Sequence, residues 1–433
     1  MAENAREIVL DTLLEIERNK VYSNQLLKAV LDKYDYLESQ DKRFIKRLTE
    51  GCIERRIELD YYLNQYASVP VNKMKPLIRC LMRMGVYQIL YMDSIPDAAA
   101  CNEAVKLAVK RKFVNLKGFV NGVLRKIAAN KENMPLPEEE KEPLQYLSVK
   151  YSMPEWIVEM WLQEYGKEDT QKILEGLSAI HPVSVRFRTD LTAAERATYI
   201  QAWEQTGAVV QESTLLPYVY TLTGVDGISS LEGFEEGTFT VQDVSSALSV
   251  EAAGIKATDI CMDICAAPGG KTMLAAEKAA RVLSRDVSEH KVELIQENCR
   301  RMQIEEKVTT EVWDATVYDA KKQEYADIVL MDVPCSGLGV MGKKRDIKYH
   351  VTPDSLESLT QLQKLIVESS WQYVKKGGVL LYSTCTINKK ENQEMVKWIC
   401  ESFPFVLEEE RQLLPGFEEA DGFYYARLRR RAE

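Results

Sequence analysis

A chain of 433 residues is longer than one ordinary hydrophobic core sustains, so two or three domains are the starting expectation. With 45% hydrophobic and 28% charged residues, the composition is that of a soluble globular protein, and no apolar run approaches the roughly eighteen residues that would span a membrane. Nine cysteines without a CxxC pair argue against a disulfide framework or a metal site and fit free thiols in a reducing cytoplasm; the net charge of −10 speaks against a nucleic-acid partner until its distribution is considered.

The opening segment, MAENAREIVLDTLLEIE, is an amphipathic helix that includes acidic residues and lacks the layout of a signal peptide. Residues 1–130 read as helices throughout, with apolar positions at helical spacing such as Ile8, Thr12, Leu13 and Ile16, or Phe119, Val123, Leu124 and Ile127. Gly51, Gly85 and Gly118 stand as candidate breaks between them. This segment carries 22 Lys and Arg against 16 Asp and Glu, whereas the other 303 residues carry 34 against 50. A positive surplus in one part of an acidic chain is what phosphate contact needs, and charge alone fits a solvated helix face equally well. The Pro- and Glu-rich stretch NKENMPLPEEEKEP cannot build a core, which places an acidic linker at 131–149.

Residues 150–240 mix helices and strands in a small α+β unit. MPEWIVEMWLQEYG is a helix with Pro154 near its first turn and Gly166 at its end. VSVRFRTD alternates like a strand, with Val183, Val185 and Phe187 on one face and Arg186 and Arg188 on the other, a face for solvent or for RNA. From 241 to 433 the rhythm is strand, loop, helix: TDICMDI, ARVLSRD, VTTEVWDA, ADIVLMDVP and GGVLLYSTC are short apolar runs with helical stretches between most of them. That alternation implies a parallel sheet covered by helices, with ligands bound beyond the carboxyl ends of the strands.

The residues closing those runs carry the chemistry. CAAPGGKT (265–272) is a Gly-rich turn between strand and helix, which lets a ligand approach the backbone. It is not a phosphate loop, because the first glycine of that motif would fall at Cys265, and the GxGxxG spacing is absent. Asp286, Asp314 and Asp332 end or follow the next three runs. One such acid alone is an ordinary cap, but three in successive units after a Gly-rich turn favour an adenosine-containing cofactor, whose ribose hydroxyls and adenine amino group a carboxylate can accept. Two thiols complete the set, Cys335 in DVPC and Cys385 in STCT. A buried cysteine is usually a small hydrophobe. Two at strand ends beside an acid suit methylation of a pyrimidine ring carbon, which becomes nucleophilic only after a thiolate has added to its neighbour.

DICAAPGGKT, ADIVLMDVPCSG and LLYSTCTI, with GTFTVQDVSSAL before them and DGFYYARL after, resemble the signature segments of the NOL/NOP/Sun group of RNA cytosine-carbon-5 methyltransferases. LTEGCIERRIELDYYL, LMRMGVYQILYMDSIPDAAACNEAVKLA and GFVNGVLRKIA are similar to the RNA-binding domain of the antitermination factor NusB. The resemblance covers nearly the whole chain. It implies an all-α NusB-like domain at 1–130, a ferredoxin-like RNA-binding subdomain at 150–240 and a Rossmann-like methyltransferase domain at 241–433. It also implies S-adenosylmethionine as cofactor without a metal, and 16S ribosomal RNA as partner, for a monomer in the cytoplasm with no obligate protein partner.

Carried over by position, the cofactor loop falls on Cys265, Ala266, Ala267, Pro268, Gly269, Gly270 and Lys271. The ribose acid is Asp286, the adenine-side acid Asp314 and the base-contacting acid Asp332, with Lys271 also in the catalytic set. The group assigns attack to Cys385 and product release to Cys335, an order that spacing leaves open. Lys343, Lys344 and Arg345 replace an arginine pair and proline after the Pro-Cys loop, preserving charge for phosphate contact, and Ala98 stands where relatives often have histidine. A transfer RNA or 23S RNA substrate, or an RNA-binding factor whose catalytic half is vestigial, are the alternatives; retention of both thiols speaks against the last.

Overall fold

The computed structural model describes residues 4–179, 181–225 and 227–432. They form two compact units, one of residues 4–174 with Lys343–His350, the other of the remainder.

The first unit is helical. Helices Ala5–Asn19, Ser23–Lys33, Ser39–Glu54, Arg56–Tyr66, Pro76–Tyr91, Asp97–Lys110 and Lys117–Ala129 bury one core. Asn4 caps the first through its side chain, which accepts from Arg6 N, and Ile8, Thr12 and Leu13 point inward as the spacing requires. Gly51 and Gly85 are not breaks: both lie inside helices, and each is where another helix comes close. A Cβ on Gly51 would sit 1.9 Å from Tyr87 Cζ, and one on Gly85 would sit 2.7 Å from Leu124 Cδ1. Within the stretch read as a linker, 131–133 form a 3-10 turn and Pro143–Lys150 a helix. Glu155–Ser178 follows as a helical run broken at Gly166, where φ is 78°. Several of its arginines pair with acids of the same segment, which leaves the surplus itself in place: Arg83 grips Asp60 through two bonds of 2.7 Å, Arg79 pairs with Glu17, and Arg111 with Asp11. Lys112, Lys117, Arg125 and Lys126 lie exposed on or beside the seventh helix.

The second unit begins with a four-stranded antiparallel sheet of β1 (Val183–Phe187), β2 (Val209–Glu212), β3 (Val219–Thr223) and β4 (Phe239–Val241), in the order β2-β3-β1-β4. Helix Ala193–Gln205, closed by a Thr192–Glu195 capping box, packs on it through Trp203, which stacks on Phe187 at 5.2 Å. The alternation of β1 holds, but Arg186, on its polar face, is closed off from solvent. Arg186 is fully buried, donating 2.7 Å bonds to Gln242 Oε1 and Glu277 Oε1, while Arg188 pairs with Asp190. Glu277 belongs to helix Gly270–Lys278, so a buried charge pair ties the small sheet to the next domain.

That domain is a seven-stranded sheet of β5 (Ile260–Asp263), β6 (Arg281–Asp286), β7 (Val308–Val312), β8 (Ala326–Asp332), β9 (Val374–Thr384), β10 (Phe405–Leu413) and β11 (Phe423–Arg430), ordered β10-β11-β9-β8-β5-β6-β7. The five strands expected from their apolar runs pair in parallel. The antiparallel pair β10–β11 closes one side; β10 is an edge strand blunted by exposed Glu408, Glu409 and Glu410. No helix among the described residues is long and apolar enough to cross a membrane.

Candidate active site

In a doubly wound sheet the first strand is followed on either side by later ones, and the crevice opens where the connections diverge. Here that point lies between β5 and β8. The strand order sets out the chemistry across the carboxyl edge. Cys385 follows β9, Asp332 ends β8 with Cys335 three residues on, the Gly-rich loop follows β5, Asp286 ends β6, and Asp314 lies two residues beyond β7.

The loop is held by its own backbone and by Asp286. Ala266 N donates to Arg285 O at 3.0 Å, Gly269 N to Ala266 O at 2.7 Å, and Ala267 N to Asp286 Oδ2 at 2.9 Å. Gly269, at φ 104°, turns the chain into helix Gly270–Lys278 through a conformation that favours glycine. Asp286 is buried, accepts from Val287 N through Oδ1 at 2.8 Å, and pairs with Lys291 at 3.0 Å. Asp314 is exposed and accepts from Thr316 N and Oγ1, which holds its carboxyl below the usual range.

Lys271, from the first turn of that helix, reaches across to β8, and its Nζ lies 2.7 Å from Asp332 Oδ2 and 5.0 Å from the Phe423 ring centre. Ser383 Oγ donates to the other oxygen of Asp332 at 2.7 Å, consistent with the pairing of these residues in the β8–β9 register. Beyond this pair the two sulfurs meet: Cys335 Sγ lies 3.3 Å from Cys385 Sγ. Contact with Cys385 first, and burial second, push the Cys335 thiol well above its ordinary range. Gly339 N donates to Cys385 O at 3.2 Å, so the Pro-Cys loop and the strand end that carries Cys385 are stitched together.

The structure therefore brings Cys335, Cys385, Asp332 and Lys271 into one cluster, sets Cys265 to Gly270 and Asp286 beside it, and leaves Asp314 at the open edge. Arg345, read as a phosphate contact, is engaged with acids instead. It pairs with Glu50 at 3.4 Å and Glu54 at 3.1 Å inside the helical unit, where Lys348 is also buried, its amine lowered to about 7 by that burial, and donates to Glu54 O. Lys343 and Lys344 are exposed. Sequence reading missed Ser383, the buried Asp263, which Thr272 Oγ1 contacts at 2.7 Å and which burial pushes up to about 7, and the buried polar residues Ser336, Gln363, Asn388 and Glu391 behind the thiols. The register of β8 against β9 would have pointed to Ser383; a polar residue buried by tertiary packing leaves no periodic signal. Among the described residues no group of three or more His, Cys, Asp or Glu is placed to hold a metal ion.

Residues 253–429 match the family described as 16S rRNA methyltransferase RsmB/F, residues 3–129 the NusB family, and residues 153–225 the ferredoxin-like domain of RsmF/B-like methyltransferases. The probable ribosomal RNA small subunit methyltransferase B of Bacillus subtilis is 34% identical over 99% of both chains. The chain belongs to the RsmB/F methyltransferase family. The ribosomal RNA small subunit methyltransferase B of Cronobacter sakazakii, 30% identical over 94% of this chain and 95% of its own, is a further RsmB relative. Among solved structures, that of PH0851 superposes with a TM-score of 0.80 at 25% identity over 99% of each chain. NSun6 from Pyrococcus horikoshii, with a TM-score of 0.55 at 21% identity over 65% of this chain and 98% of its own, shares the fold. The expected fold class is thus the RsmB/F one: a NusB-type helical domain, a ferredoxin-like domain and a Rossmann-like methyltransferase domain.

Proposed function

We propose that this RNA methyltransferase acts on carbon-5 of a cytosine in 16S ribosomal RNA, with S-adenosylmethionine as methyl donor and a transient bond between Cys385 and carbon-6. The observation that carries the reading is the pair of sulfurs 3.3 Å apart at the ends of adjacent strands, next to the Lys271–Asp332 ion pair. Methylating an amino group or a ribose hydroxyl needs no thiol, whereas carbon-5 becomes nucleophilic only when carbon-6 carries one.

The two thiols are unequal. The family's order gives attack to Cys385 and product release to Cys335, and contact with Cys385 together with burial raises the Cys335 thiol. Its Sγ adds to carbon-6 and breaks the ring double bond. Asp332, oriented by Lys271 and Ser383, meets the ring nitrogen, where its protonated form donates a hydrogen bond to the negative charge that develops. S-adenosylmethionine supplies an electrophilic methyl group; the donor set fits it, with a Gly-rich turn, buried Asp286 for a ribose and Asp314 at the edge for an adenine. Once carbon-5 is methylated, its proton leaves, the ring double bond re-forms, and the electron pair of the carbon–sulfur bond returns to Cys385. The resemblance places product release with Cys335, whose Sγ lies 3.3 Å from Cys385 Sγ, beside the carbon–sulfur bond that breaks. A base inside a duplex cannot be reached this way, so the target is unstacked or flipped. Exposed Lys112, Lys117, Arg125 and Lys126 offer phosphate contacts, and the names of the relatives point to the small ribosomal subunit.

The test uses unmodified 16S RNA tritiated at carbon-5 of cytosine. Tritium release equal to methyl incorporation, with 5-methylcytosine in the digest, is the expected result. Methyl incorporation without tritium release would move the acceptor off carbon-5, and no incorporation would overturn the proposal.

A further inference from the structure

Glu391 is fully buried directly behind the two thiols, and four donors converge on its carboxylate. Ser336 N at 2.9 Å and Gln363 Nε2 at 2.9 Å donate to Oε1; Ser336 Oγ at 2.6 Å and Asn388 Nδ2 at 3.0 Å donate to Oε2. Gln363 Nε2 also donates to Pro334 O at 2.9 Å. The residue before Cys335 and the residue after it are therefore both fixed to one buried anchor, the first through Gln363 and the second directly. The anchor reaches the other thiol more weakly: Ser336 Oγ lies 2.7 Å from Thr386 Oγ1, next to Cys385. Its own backbone is held as well, since Tyr382 Oη donates to Glu391 O at 2.7 Å.

We infer that Glu391 is a positioning residue for the release half of the reaction, holding the Pro334–Cys335–Ser336 loop so that Cys335 faces the carbon-5 side of the bound base. The inference rests on the roles proposed above for the two thiols. A carboxylate is a pure acceptor and is matched here by four donors, with no water or ligand required; an acid this buried is kept where its partners need a fixed point. Glu391 acts through Cys335 and has no contact of its own with the reacting atoms.

The substitution that separates positioning from folding is Glu391→Gln, which keeps the volume and turns one acceptor oxygen into a donor facing Ser336 Oγ and Asn388 Nδ2 or Ser336 N and Gln363 Nε2. A displaced reacting group of about 1 Å is enough to slow a step by about a hundredfold. Wild type, Glu391→Gln, Gln363→Leu and Cys335→Ala would each be mixed with unmodified 16S RNA and S-adenosylmethionine. Turnover, cofactor affinity and the covalent protein–RNA fraction on a denaturing gel are then measured. The expected result for Glu391→Gln is turnover down by about tenfold or more, a covalent fraction well above wild type, and cofactor affinity within about twofold. Slow turnover with intact cofactor binding and no added covalent species would overturn the inference, as would wild-type turnover. If Glu391→Gln loses cofactor binding, Gln363→Leu decides by the same readouts, since it cuts the link to Pro334 and leaves the glutamate in place. Absence of the covalent species even in Cys335→Ala would mark failure of the thiol roles themselves, which distinguishes the two outcomes.

Discussion

Cys385→Ala lowers kcat for methyl transfer by about 10⁴-fold or more, with S-adenosylmethionine and RNA affinities changed by no more than about threefold. This is the largest effect expected in the molecule, because the thiol does what no neighbour can. Carbon-5 of cytosine has no useful nucleophilicity until carbon-6 bears a sulfur, and the proposed order leaves the neighbouring sulfur, that of Cys335 at 3.3 Å, for product release. The backbone of Cys385, which accepts from Gly339 N at 3.2 Å, is untouched by the change, and the side chain is half-buried, so stability should move by less than about 0.5 kcal/mol. Cys385→Ser should be nearly as inactive, since a hydroxyl is a far weaker nucleophile near neutral pH than a thiol that can ionise. Residual activity within about tenfold of wild type would remove Cys385 from the attacking role.

Asp332→Asn comes second, with kcat down by about 10²–10³-fold, the scale set by removing one preorganised electrostatic contact from a transition state. The substitution has two consequences at once. It replaces the acid at the ring nitrogen by an amide, and it takes from Lys271 the partner that holds its Nζ at 2.7 Å. Lys271 is almost fully buried, so an unpartnered ammonium there is costly, and the helix that follows the cofactor loop carries it. Lys271→Met leaves the mirror-image defect on Asp332, which keeps only the 2.7 Å contact from Ser383. The two changes should not add: the double variant is expected to lose no more than about threefold beyond Asp332→Asn alone. Additive losses in the cycle would mean that Lys271 serves the cofactor independently of Asp332.

The fold class was legible because its signals are periodic and local. The helical spacing at Ile8, Thr12 and Leu13, and the apolar runs at 260–263, 281–286, 308–312, 326–332 and 374–384, became buried helix faces and parallel strands. Chemistry at the carboxyl ends of such strands is a consequence of topology, so the residues closing those runs were the place to look. What stayed hidden depended on tertiary contact. Arg186 occupies the polar register of β1, yet that face is covered by the helix bearing Glu277, and no alternation pattern reports the covering. Gly51 and Gly85 read as punctuation, whereas their lack of a side chain admits Tyr87 and Leu124 from other helices. β10 went unread because its charges, suited to a sheet edge, mask a strand. Glu391 sits in the polar string NKKENQ, which resembles any helix start; only the packing of Ser336, Gln363 and Asn388 around it turns it into an anchor.

The most direct test of the proposed chemistry is a denaturing gel of Cys335→Ala and Cys385→Ala, each incubated with unmodified 16S RNA and S-adenosylmethionine. With Cys385 attacking and Cys335 needed for release, a covalent protein–RNA band builds up in Cys335→Ala and is absent from Cys385→Ala. A band in Cys385→Ala alone would reverse the two roles, and no band in either variant would contradict a covalent route to carbon-5.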